Sequence, residues 1–272
     1  MSTSTAADYV HGYSGAEAQR LRDQASALDR LLHHDTLFDP PGLVLEVGCG
    51  TGAQTVIVAR QNAQCRFVSL DISRQSLTTA TQRTHDLGLS NVTFEVGDVY
   101  RLPFHDGAFD HVFVCFLLEH LSRPTEALRS LRRVLKPGGS ITVIEGDHGS
   151  AYYHPRSDAA QATIRCLIDL QAAMGGNSLI GRELYPLLLE AGFHQPQVEP
   201  RVVYADGGRP EMADYFTRRT FTAMVEGVRD QAIGGGLIPP ETWEQGIRDL
   251  HRTAEPDGTF SYTFFKARAL KE

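Results

Sequence analysis

The chain has 272 residues, 42% of them hydrophobic and 22% charged, which is enough apolar material for one large α/β domain. Its formal net charge of −7 argues against a nucleic-acid partner, and no apolar run approaches the roughly 20 residues that a membrane span needs. The four cysteines are too widely spaced for a zinc motif, so we expect no metal and a reducing, cytoplasmic environment.

The first predicted element is an N-terminal helix. Residues 1–8 are polar and lack the apolar core of a secretory signal. Ser14 can cap a helix that runs to about His34, with apolar residues at helical spacing. Tyr13, just before this helix, either closes a ligand pocket or serves as an ordinary surface anchor.

A strand followed by alternating glycines comes next. The apolar run Leu43–Val47 predicts a buried strand, and Gly48, Gly50 and Gly52 then predict a tight turn before a helix that starts at Ala53. Glycine lets a ligand approach the main chain, and the free N–H groups of the following helix point at that ligand. The stretch therefore predicts a nucleotide-type cofactor loop on the first strand of an α/β sheet.

Three acidic residues narrow the choice of cofactor, because the glycines alone also fit a dinucleotide loop. Glu46 precedes the loop, where a carboxylate would repel pyrophosphate but suits a cationic or polar ligand. Asp71 ends the second predicted strand, where an acid accepts hydrogen bonds from ribose hydroxyls, in NAD as well as in other nucleosides. Asp98 follows the third predicted strand and can accept the adenine amino group.

Strands and helices continue to alternate through the middle of the chain. Ser73 can cap a helix over 74–87, and the continuous apolar run Phe109–Phe116 predicts a central fourth strand. Pro124 suits the first turn of the next helix, which Pro137 and two glycines stop. Residues 140–145 predict the fifth strand.

The order is looser after residue 146. Residues 147–155 are polar and aromatic, and we predict that they form a loop at the carboxyl end of the fifth strand, where open α/β sheets bind ligands. The remaining predicted elements are helices over 158–174, 181–191, 210–231 and 240–253, with strands over 197–205 and 259–269.

Six motifs in order and register resemble those of the class I S-adenosylmethionine (SAM)-dependent methyltransferases, in particular the UbiE/COQ5-like small-molecule branch. The resemblance is strong over residues 40–146 and weaker over 181–193. The motifs are residues 46–52, 70–73, 97–99, 109–112, 118–121 and 134–139.

The resemblance implies a fold. It implies a Rossmann-like, doubly wound α/β sheet of seven strands in the order 3-2-1-4-5-7-6, with an antiparallel last strand and a helical cap inserted over about 206–257. The whole chain, 1–272, would then be one domain. Residues 1–39 would form a helical lid over the cofactor, 40–146 the SAM-binding core, and 147–272 the rest of the sheet with the cap.

The resemblance also implies a SAM site. Glu46 and the glycine loop would hold the methionine portion, Asp71 the ribose, and Asp98 with Val99 the adenine, with Ile72 on its face. The main chain at Cys115 and Phe116 would accept the methionine ammonium. The expected cofactor-binding residues are Tyr13, Glu46, Gly48, Cys49, Gly50, Gly52, Asp71, Ile72, Gly97, Asp98, Val99, Cys115 and Phe116.

Candidates for the catalytic groups follow the fourth and fifth strands. His120, His148 and His154 are candidate bases, because a neutral imidazole titrates near working pH. Each histidine can equally be structural in a chain that has 11 of them. Tyr152 and Tyr153 either offer aromatic faces to a sulfonium or pack within a lid.

Together these features predict methyl transfer from SAM to oxygen or nitrogen of a small metabolite of secondary metabolism. The protein is expected to be a cytoplasmic monomer or homodimer without a nucleic-acid or membrane partner. One alternative is a SAM-consuming enzyme that cyclises or cleaves the cofactor and releases methylthioadenosine. A second is a module that binds SAM without turnover. A NAD-dependent oxidoreductase is a more distant alternative.

Overall fold

The computed structural model describes residues 28–272, so Tyr13 and most of the predicted lid lie outside the described residues. The chain divides into two compact units. The core unit comprises Asp29–Gly146, Ile180–Arg201 and Phe265–Glu272. The described part of the helical unit is residue 28 together with Asp147–Leu179 and Val202–Phe264.

The strands form one mixed sheet in the order β3-β2-β1-β4-β5-β7-β6, which confirms the order implied by the resemblance. Neighbouring strands from β3 to β5 run parallel. Among the described residues the seven strands are β1 Leu43–Val47, β2 Arg66–Asp71, β3 Val92–Val96, β4 Phe109–Cys115, β5 Leu135–His154, β6 His194–Asp206 and β7 Thr259–Leu270.

The direction of β7 follows from its hydrogen bonds to β5. Near the start of β5, Gly138 N–H donates to the Lys271 carbonyl and Lys271 N–H donates to the Gly139 carbonyl. Near its end, Thr263 N–H donates to Ser150. Because the partner numbers fall along β7 as they rise along β5, the two strands are antiparallel, as expected.

The helices agree with most of the predicted ones. The first described helix, α1, covers residues 28–33. The others are α2 Ala53–Gln61, α3 Arg74–Asp86, α4 Pro124–Val134, α5 Asp158–Ala173, α6 Leu184–Glu190, α7 Pro210–Met212, α8 Ala223–Glu226, α9 Arg229–Gly234 and α10 Pro240–Arg252. A π-helical segment, Ala213–Thr222, joins α7 to α8, where the sequence predicted one continuous helix.

Local residues account for the ends and faces of α3 and α4. The Ser73 side chain accepts a hydrogen bond from Ser76 N–H and caps α3, as predicted. Pro124 occupies the first turn of α4, where its missing N–H costs nothing. The buried stripe of α4 packs in the hydrophobic core of the core unit and consists of Ala127, Leu128, Leu131 and Val134.

The fifth strand differs from the prediction. It extends to His154, so the polar–aromatic segment after residue 146 is strand and not loop. The reason is its pairing with β7: Ser150 Oγ accepts the Thr263 N–H, and the Tyr152 carbonyl accepts from Ser261. The pairing partner lies more than 100 residues away, so no local pattern could reveal it.

Helix α10 lies very close to α5 within the helical unit. A Cβ atom added at Gly246 would be 2.5 Å from the Ala159 carbonyl oxygen and 2.5 Å from Thr163 Cγ2. We expect Gly246→Ala to lower the free energy of unfolding by about 1–3 kcal/mol, because overpacking outweighs the gain in helix propensity. Denaturant unfolding of the full chain measures this change.

Gly234 at the end of α9 is the matched control. A Cβ atom there meets no atom of the described chain within 4 Å. Gly234→Ala should therefore raise the free energy of unfolding by up to about 1 kcal/mol. Equal effects of the two substitutions would show that α10 has room to move away from α5.

No helix within residues 28–272 is both long and apolar enough to cross a membrane.

Candidate functional site

The glycine loop after β1 has the backbone that the sequence predicted. Gly48, Gly50 and Gly52 have φ values of 74°, 53° and 76°, in the left-handed region that favours glycine. Gly48 and Cys49 N–H both donate to the Leu70 carbonyl, at 2.8 and 3.2 Å, so the loop is tied to the end of β2.

Close packing requires two of these glycines, and the third leaves the main chain open. A Cβ atom at Gly48 would lie 2.9 Å from Leu117, and one at Gly52 would lie 3.0 Å from Ala80. At Gly50 an added Cβ meets no described atom within 4 Å. The backbone at Gly50 is therefore accessible to a ligand that approaches the loop.

Asp71 joins the loop to the helix that follows β2. One carboxylate oxygen accepts Gly50 N–H and the other accepts Ser73 N–H, each at 2.8 Å. Burial raises the pKa of Asp71, and these two backbone hydrogen bonds oppose the rise. Each carboxylate oxygen has two lone pairs, so Asp71 keeps acceptor capacity for the hydroxyls of a ribose.

Glu46 is a buried acid at the carboxyl end of β1. Its side chain is 3% exposed and accepts the Ser69 hydroxyl at 2.6 Å. Burial raises the pKa of Glu46 to about 7, and the charge of Asp71 adds to the rise. Within residues 28–272 no basic side chain forms an ion pair with Glu46, so a cationic ligand group would favour its ionised form.

The residue after β2 offers an apolar face, and the segment after β3 forms a turn. Ile72, expected on the face of adenine, is 50% exposed. Gly97 leaves room for Leu70, whose side chain would lie 2.5 Å from an added Cβ. Asp98 accepts Tyr100 N–H at 2.9 Å and so begins a short 3₁₀ turn that contains the buried Val99.

The end of β4 has an unusual backbone. Cys115 is buried, and the next residue, Phe116, has φ of 57°. A bulky residue with positive φ is an outlier, and such strain concentrates at ligand sites. Phe116 N–H donates to the Ile144 carbonyl at 2.9 Å, which holds the strained residue against β5.

Glu145 is a buried acid that the sequence analysis missed. It is fully buried, and its Oε1 accepts Leu117 N–H and Leu118 N–H at 3.0 and 2.7 Å. Its Oε2 has no hydrogen-bond partner among the described residues, and burial with the nearby Glu119 raises its pKa well above the ordinary value. The sequence did contain a signal for Glu145, because it is an acid at the carboxyl end of an apolar predicted strand, as Glu46 is.

His120 lies on the short 3₁₀ turn after β4, in the core unit. Its Nε2 is 3.6 Å from a carboxylate oxygen of Glu119. The two side chains are 22% and 11% exposed. The structure therefore places the candidate base His120 directly after β4 with a carboxylate beside its ring.

His148 lies on β5 in the helical unit and is 4% exposed. A hydrogen bond of 2.7 Å joins its Nδ1 to the Tyr262 hydroxyl. The Phe221 ring meets the imidazole edge-on, with the centroids 6.2 Å apart. The sequence analysis missed Tyr262 as a partner of His148, because the two residues are 114 positions apart and no local signal links them.

The other candidate catalytic residues of β5 are less enclosed. Tyr153 stacks on Phe260, and its hydroxyl donates to the Ser157 carbonyl at 3.3 Å. Burial raises the pKa of Tyr153 to about 12, so it stays protonated near neutral pH. Tyr152 is 72% exposed, and His154 is exposed too.

The described contacts therefore connect the glycine loop, Asp71 and Ser73 into one site, and connect Glu145 to the turn after β4. Positive-φ glycines, an accessible main chain and acidic acceptors suit a ligand with ribose hydroxyls and a cationic group. Among residues 28–272 no group of three or more His, Cys, Asp or Glu is arranged to hold a metal ion.

Comparison with known proteins identifies the family. A family model described as "Methyltransferase domain" matches residues 45–143. The ubiquinone/menaquinone biosynthesis C-methyltransferase UbiE of Pseudomonas aeruginosa is 32% identical over 199 residues, which are 72% of this chain and 72% of UbiE.

Two further relatives match this chain over only about half of their own length. A 37.1 kDa protein of transposon TN4556 from Streptomyces fradiae is 32% identical over 75% of this chain and 56% of its own length. Norajmaline N-methyltransferase of Rauvolfia serpentina is 30% identical over 50% of this chain and 46% of its own length. The chain spans about half the length of these two relatives.

Solved structures show the same fold. The [4+2]-cyclase SpnF is 25% identical, with a TM-score of 0.56 over 92% of this chain and 80% of SpnF. The YcgJ protein of Bacillus subtilis is 16% identical, with a TM-score of 0.57 over 94% of this chain and 99% of YcgJ. From the glycine loop, the sheet order and the extent of the UbiE match, we conclude that the chain belongs to the class I SAM-dependent methyltransferases, the family whose cofactor is SAM.

Proposed function

We propose that the protein transfers a methyl group from SAM to an oxygen or nitrogen atom of a small metabolite. The observation that carries this proposal is the placement of Asp71, whose carboxylate holds the open glycine loop at Gly50 and retains acceptor capacity for ribose hydroxyls. The buried Glu46 supports it, because an acid without a basic partner in the described chain matches the ammonium of SAM.

The chain's own residues have a limited chemical task. When bound, SAM supplies a methyl group on an already activated sulfonium. The protein must then bind and orient the acceptor and exclude water from the site. Where the acceptor carries a proton, the protein must also remove it. Glu46, the glycine loop, Asp71, Ile72 and Asp98 are the proposed binding residues.

Two histidines are the main candidates for the proton acceptor. His148 is buried and hydrogen-bonded to Tyr262, which fixes its ring. His120 lies beside the Glu119 carboxylate. Tyr153 is a weaker candidate because its hydroxyl is already bonded and its pKa is raised to about 12.

The finer parts of the proposal have separate support. A nitrogen acceptor fits the name of the norajmaline N-methyltransferase. The proposal also includes a place in secondary metabolism. A cytoplasmic location fits the four cysteines, all buried and free of disulfides. The net charge of −7 fits the absence of a nucleic-acid partner. We further propose that the protein is a monomer or homodimer and that residues 1–272 form one domain.

A second candidate is a SAM-consuming reaction other than methyl transfer, in which cyclisation or cleavage of SAM releases methylthioadenosine. The likeness to SpnF, whose printed description is a [4+2]-cyclase, supports only the broader point that this fold also carries reactions other than methyl transfer, since a [4+2] cyclisation does not consume SAM. The core fold alone therefore does not decide the reaction.

Incubation of the full chain with SAM separates the candidates. We expect S-adenosylhomocysteine to form only when an acceptor from a panel of hydroxylated and amino compounds is added. Methylthioadenosine formed without any acceptor would favour the second candidate. Tight SAM binding with neither product would leave a binding module, and the proposal of methyl transfer would then be wrong.

A further inference from the structure

A buried lysine of the core unit holds the chain segment that follows α1. Lys266 lies on β7 and is 2% exposed. Its Nζ donates to the Leu32 carbonyl at 3.0 Å, to Asp35 at 2.6 Å and to the Thr36 hydroxyl at 2.7 Å. An ammonium has three N–H groups and no acceptor, so these contacts use all of its donors. The lysine therefore fixes the end of α1 against the sheet.

This lysine remains charged at neutral pH. Burial lowers the pKa of Lys266 to about 8, the guanidinium groups of Arg268 and Arg201 add to the fall, and the Asp35 carboxylate opposes it. Asp35 pairs with Arg201 as well as with the lysine, each at 2.6 Å. At pH 7 the ammonium is therefore the main form, and all three of its hydrogen bonds can be made.

A histidine of α1 continues this set of hydrogen bonds. His33 is fully buried, and its Nδ1 lies 3.3 Å from Thr36 Oγ1. Its Nε2 lies 2.7 Å from Oε1 of Gln54 on α2. An amide oxygen can only accept, so Nε2 carries the ring proton and Nδ1 is an acceptor. Burial lowers the pKa of His33 to about 4, so the ring is neutral at pH 7 and carries one proton.

The hydrogen bonds therefore run in one direction, from β7 to α2. Because Lys266 can only donate, the Thr36 oxygen accepts from it and the Thr36 hydroxyl proton is available to another acceptor. Nδ1 of His33, at 3.3 Å, is slightly closer to this hydroxyl than the Leu32 carbonyl, at 3.4 Å. The imidazole then donates to Gln54 from its other nitrogen.

The last member of the series, Gln54, lies in the first turn of α2, directly after the glycine loop. This helix follows Gly52, which has a left-handed backbone and no side chain to cap the helix. The Gly52 carbonyl accepts Val56 N–H at a long 3.3 Å. In contrast, Ser73 and Ser157 cap α3 and α5 with their own hydroxyls. The hydrogen bond from α1 thus supplies a tertiary contact where the local cap is missing.

We propose that His33 is a positioning residue for SAM binding and that Lys266 acts through it. The imidazole fixes Gln54, and with it the first turn of α2 and the adjoining glycine loop. Lys266 and Thr36 keep the imidazole in the tautomer that donates to Gln54. The inference rests on the proposed function, because it names residues that hold the proposed SAM site in its binding geometry without contacting the ligand.

The first test observes the imidazole directly by NMR of the full chain labelled with ¹⁵N-histidine at pH 7. The His33→Gln variant identifies the signals of this residue among the 11 histidines. We expect a protonated Nε2 and a bare Nδ1 in the unmodified chain. In Lys266→Met the Thr36 oxygen is free to accept, so Nδ1 should become partly protonated. A protonated Nδ1 in the unmodified chain, or an unchanged ring in Lys266→Met, would overturn the proposal.

The second test compares two replacements of the histidine by their Kd for S-adenosylhomocysteine, measured calorimetrically on folded full-length chains. His33→Leu removes the donor to Gln54 and should raise Kd by about tenfold. His33→Gln keeps a side-chain N–H that can replace the one on Nε2, so its Kd should stay within threefold of the unmodified chain. An equal loss of affinity in both variants would mean that the ring only fills space, and the proposal would be wrong.

Lys271 is the matched control for the lysine. It directly follows β7 and donates to main-chain carbonyls, those of Arg133 and Leu135. Lys271→Met should reduce stability and change the Kd for S-adenosylhomocysteine by less than twofold, whereas Lys266→Met should raise this Kd by about fivefold or more. Equal Kd values for the two variants would overturn the role of Lys266.

The outcomes separate this inference from the proposed function. If the unmodified chain did not bind S-adenosylhomocysteine at all, the proposed function would be contradicted. The imidazole spectrum needs no ligand, so it would still decide whether Lys266 controls the tautomer of His33. Binding with normal affinity by His33→Leu would instead leave the proposed function intact and overturn the positioning role.

Discussion

Replacing Asp71 with alanine is expected to raise the Kd for SAM by about 100-fold or more. The proposed ribose contacts are lost, and Gly50 N–H and Ser73 N–H lose the carboxylate that accepts them. Hydrogen bonds to a charged group contribute about 1.5–3 kcal/mol each, and 1.4 kcal/mol is a factor of ten in affinity. Calorimetric titration of the folded variant with SAM and with S-adenosylhomocysteine measures the change.

Asp110 provides the matched control for this experiment. It too is a core-unit aspartate that accepts a backbone N–H, that of Leu43 at 2.8 Å, and it pairs with Lys136. It lies near the start of β4, at the opposite end of the strand from the proposed site. Asp110→Ala should reduce stability and change the Kd for SAM by less than threefold.

Asp71→Asn refines the interpretation. The amide keeps one oxygen that can accept one of the two backbone N–H groups, but it loses the charge and the second acceptor. The Kd of Asp71→Asn for SAM should lie between that of the unmodified chain and that of Asp71→Ala. If Asp71→Ala bound SAM within threefold of the unmodified chain, the proposed ribose contact would be wrong.

The second large effect concerns Glu46 and pH. Burial raises its pKa to about 7 from an ordinary value of 4.5, so the folded chain holds this proton more tightly than the unfolded chain does. The contribution of the protonated Glu46 carboxyl to the free energy of unfolding is therefore present at low pH and is lost as pH rises from about 4.5 to 7. At 1.36 kcal/mol per pKa unit, the full loss is about 3 kcal/mol.

Glu46→Gln isolates this contribution. Glutamine resembles the protonated acid and can still accept the Ser69 hydroxyl, but it does not titrate. Between pH 5 and 7.5 the unmodified chain should lose about 2 kcal/mol more unfolding free energy than the variant does. Urea unfolding at the two pH values measures the difference. Parallel losses in the two chains would show that the pKa of Glu46 is not raised.

Cofactor binding should depend on the same proton. If Glu46 holds the cationic end of SAM, as proposed, binding favours its ionised form and releases a proton near pH 6.5. Titrations in buffers of different ionisation enthalpy detect this release. Glu46→Gln should bind SAM with correspondingly fewer protons released.

Glu145 shows how tertiary structure adds to the proposed site. Its carboxylate accepts two consecutive N–H groups of the turn after β4, beside the strained Phe116. The sequence analysis treated Glu145 only as the last residue of a predicted strand. Its role depends on the neighbouring strand, which contributes the turn and lies about 30 residues earlier in the chain.

Local sequence determined the parts of the fold whose causes are local. Alternating glycines after an apolar run favour a turn with left-handed backbone, and Gly48, Gly50 and Gly52 adopt it. Ser73 caps a helix because its hydroxyl reaches an N–H three residues away. The sheet order and the family were predicted because several such motifs occur in one register, and both were confirmed.

Only the tertiary structure decided the features that depend on distant partners. The length of β5 is set by its pairing with β7, the environment of His148 by Tyr262, and the buried face of the π-helical segment by the same strand. Hydrophobic periodicity reports which side of an element is buried, but not what it is buried against. For that physical reason the proposed SAM-binding residues could be named from the sequence, whereas the contacts of β5 and of the π-helical segment are visible only in the folded chain.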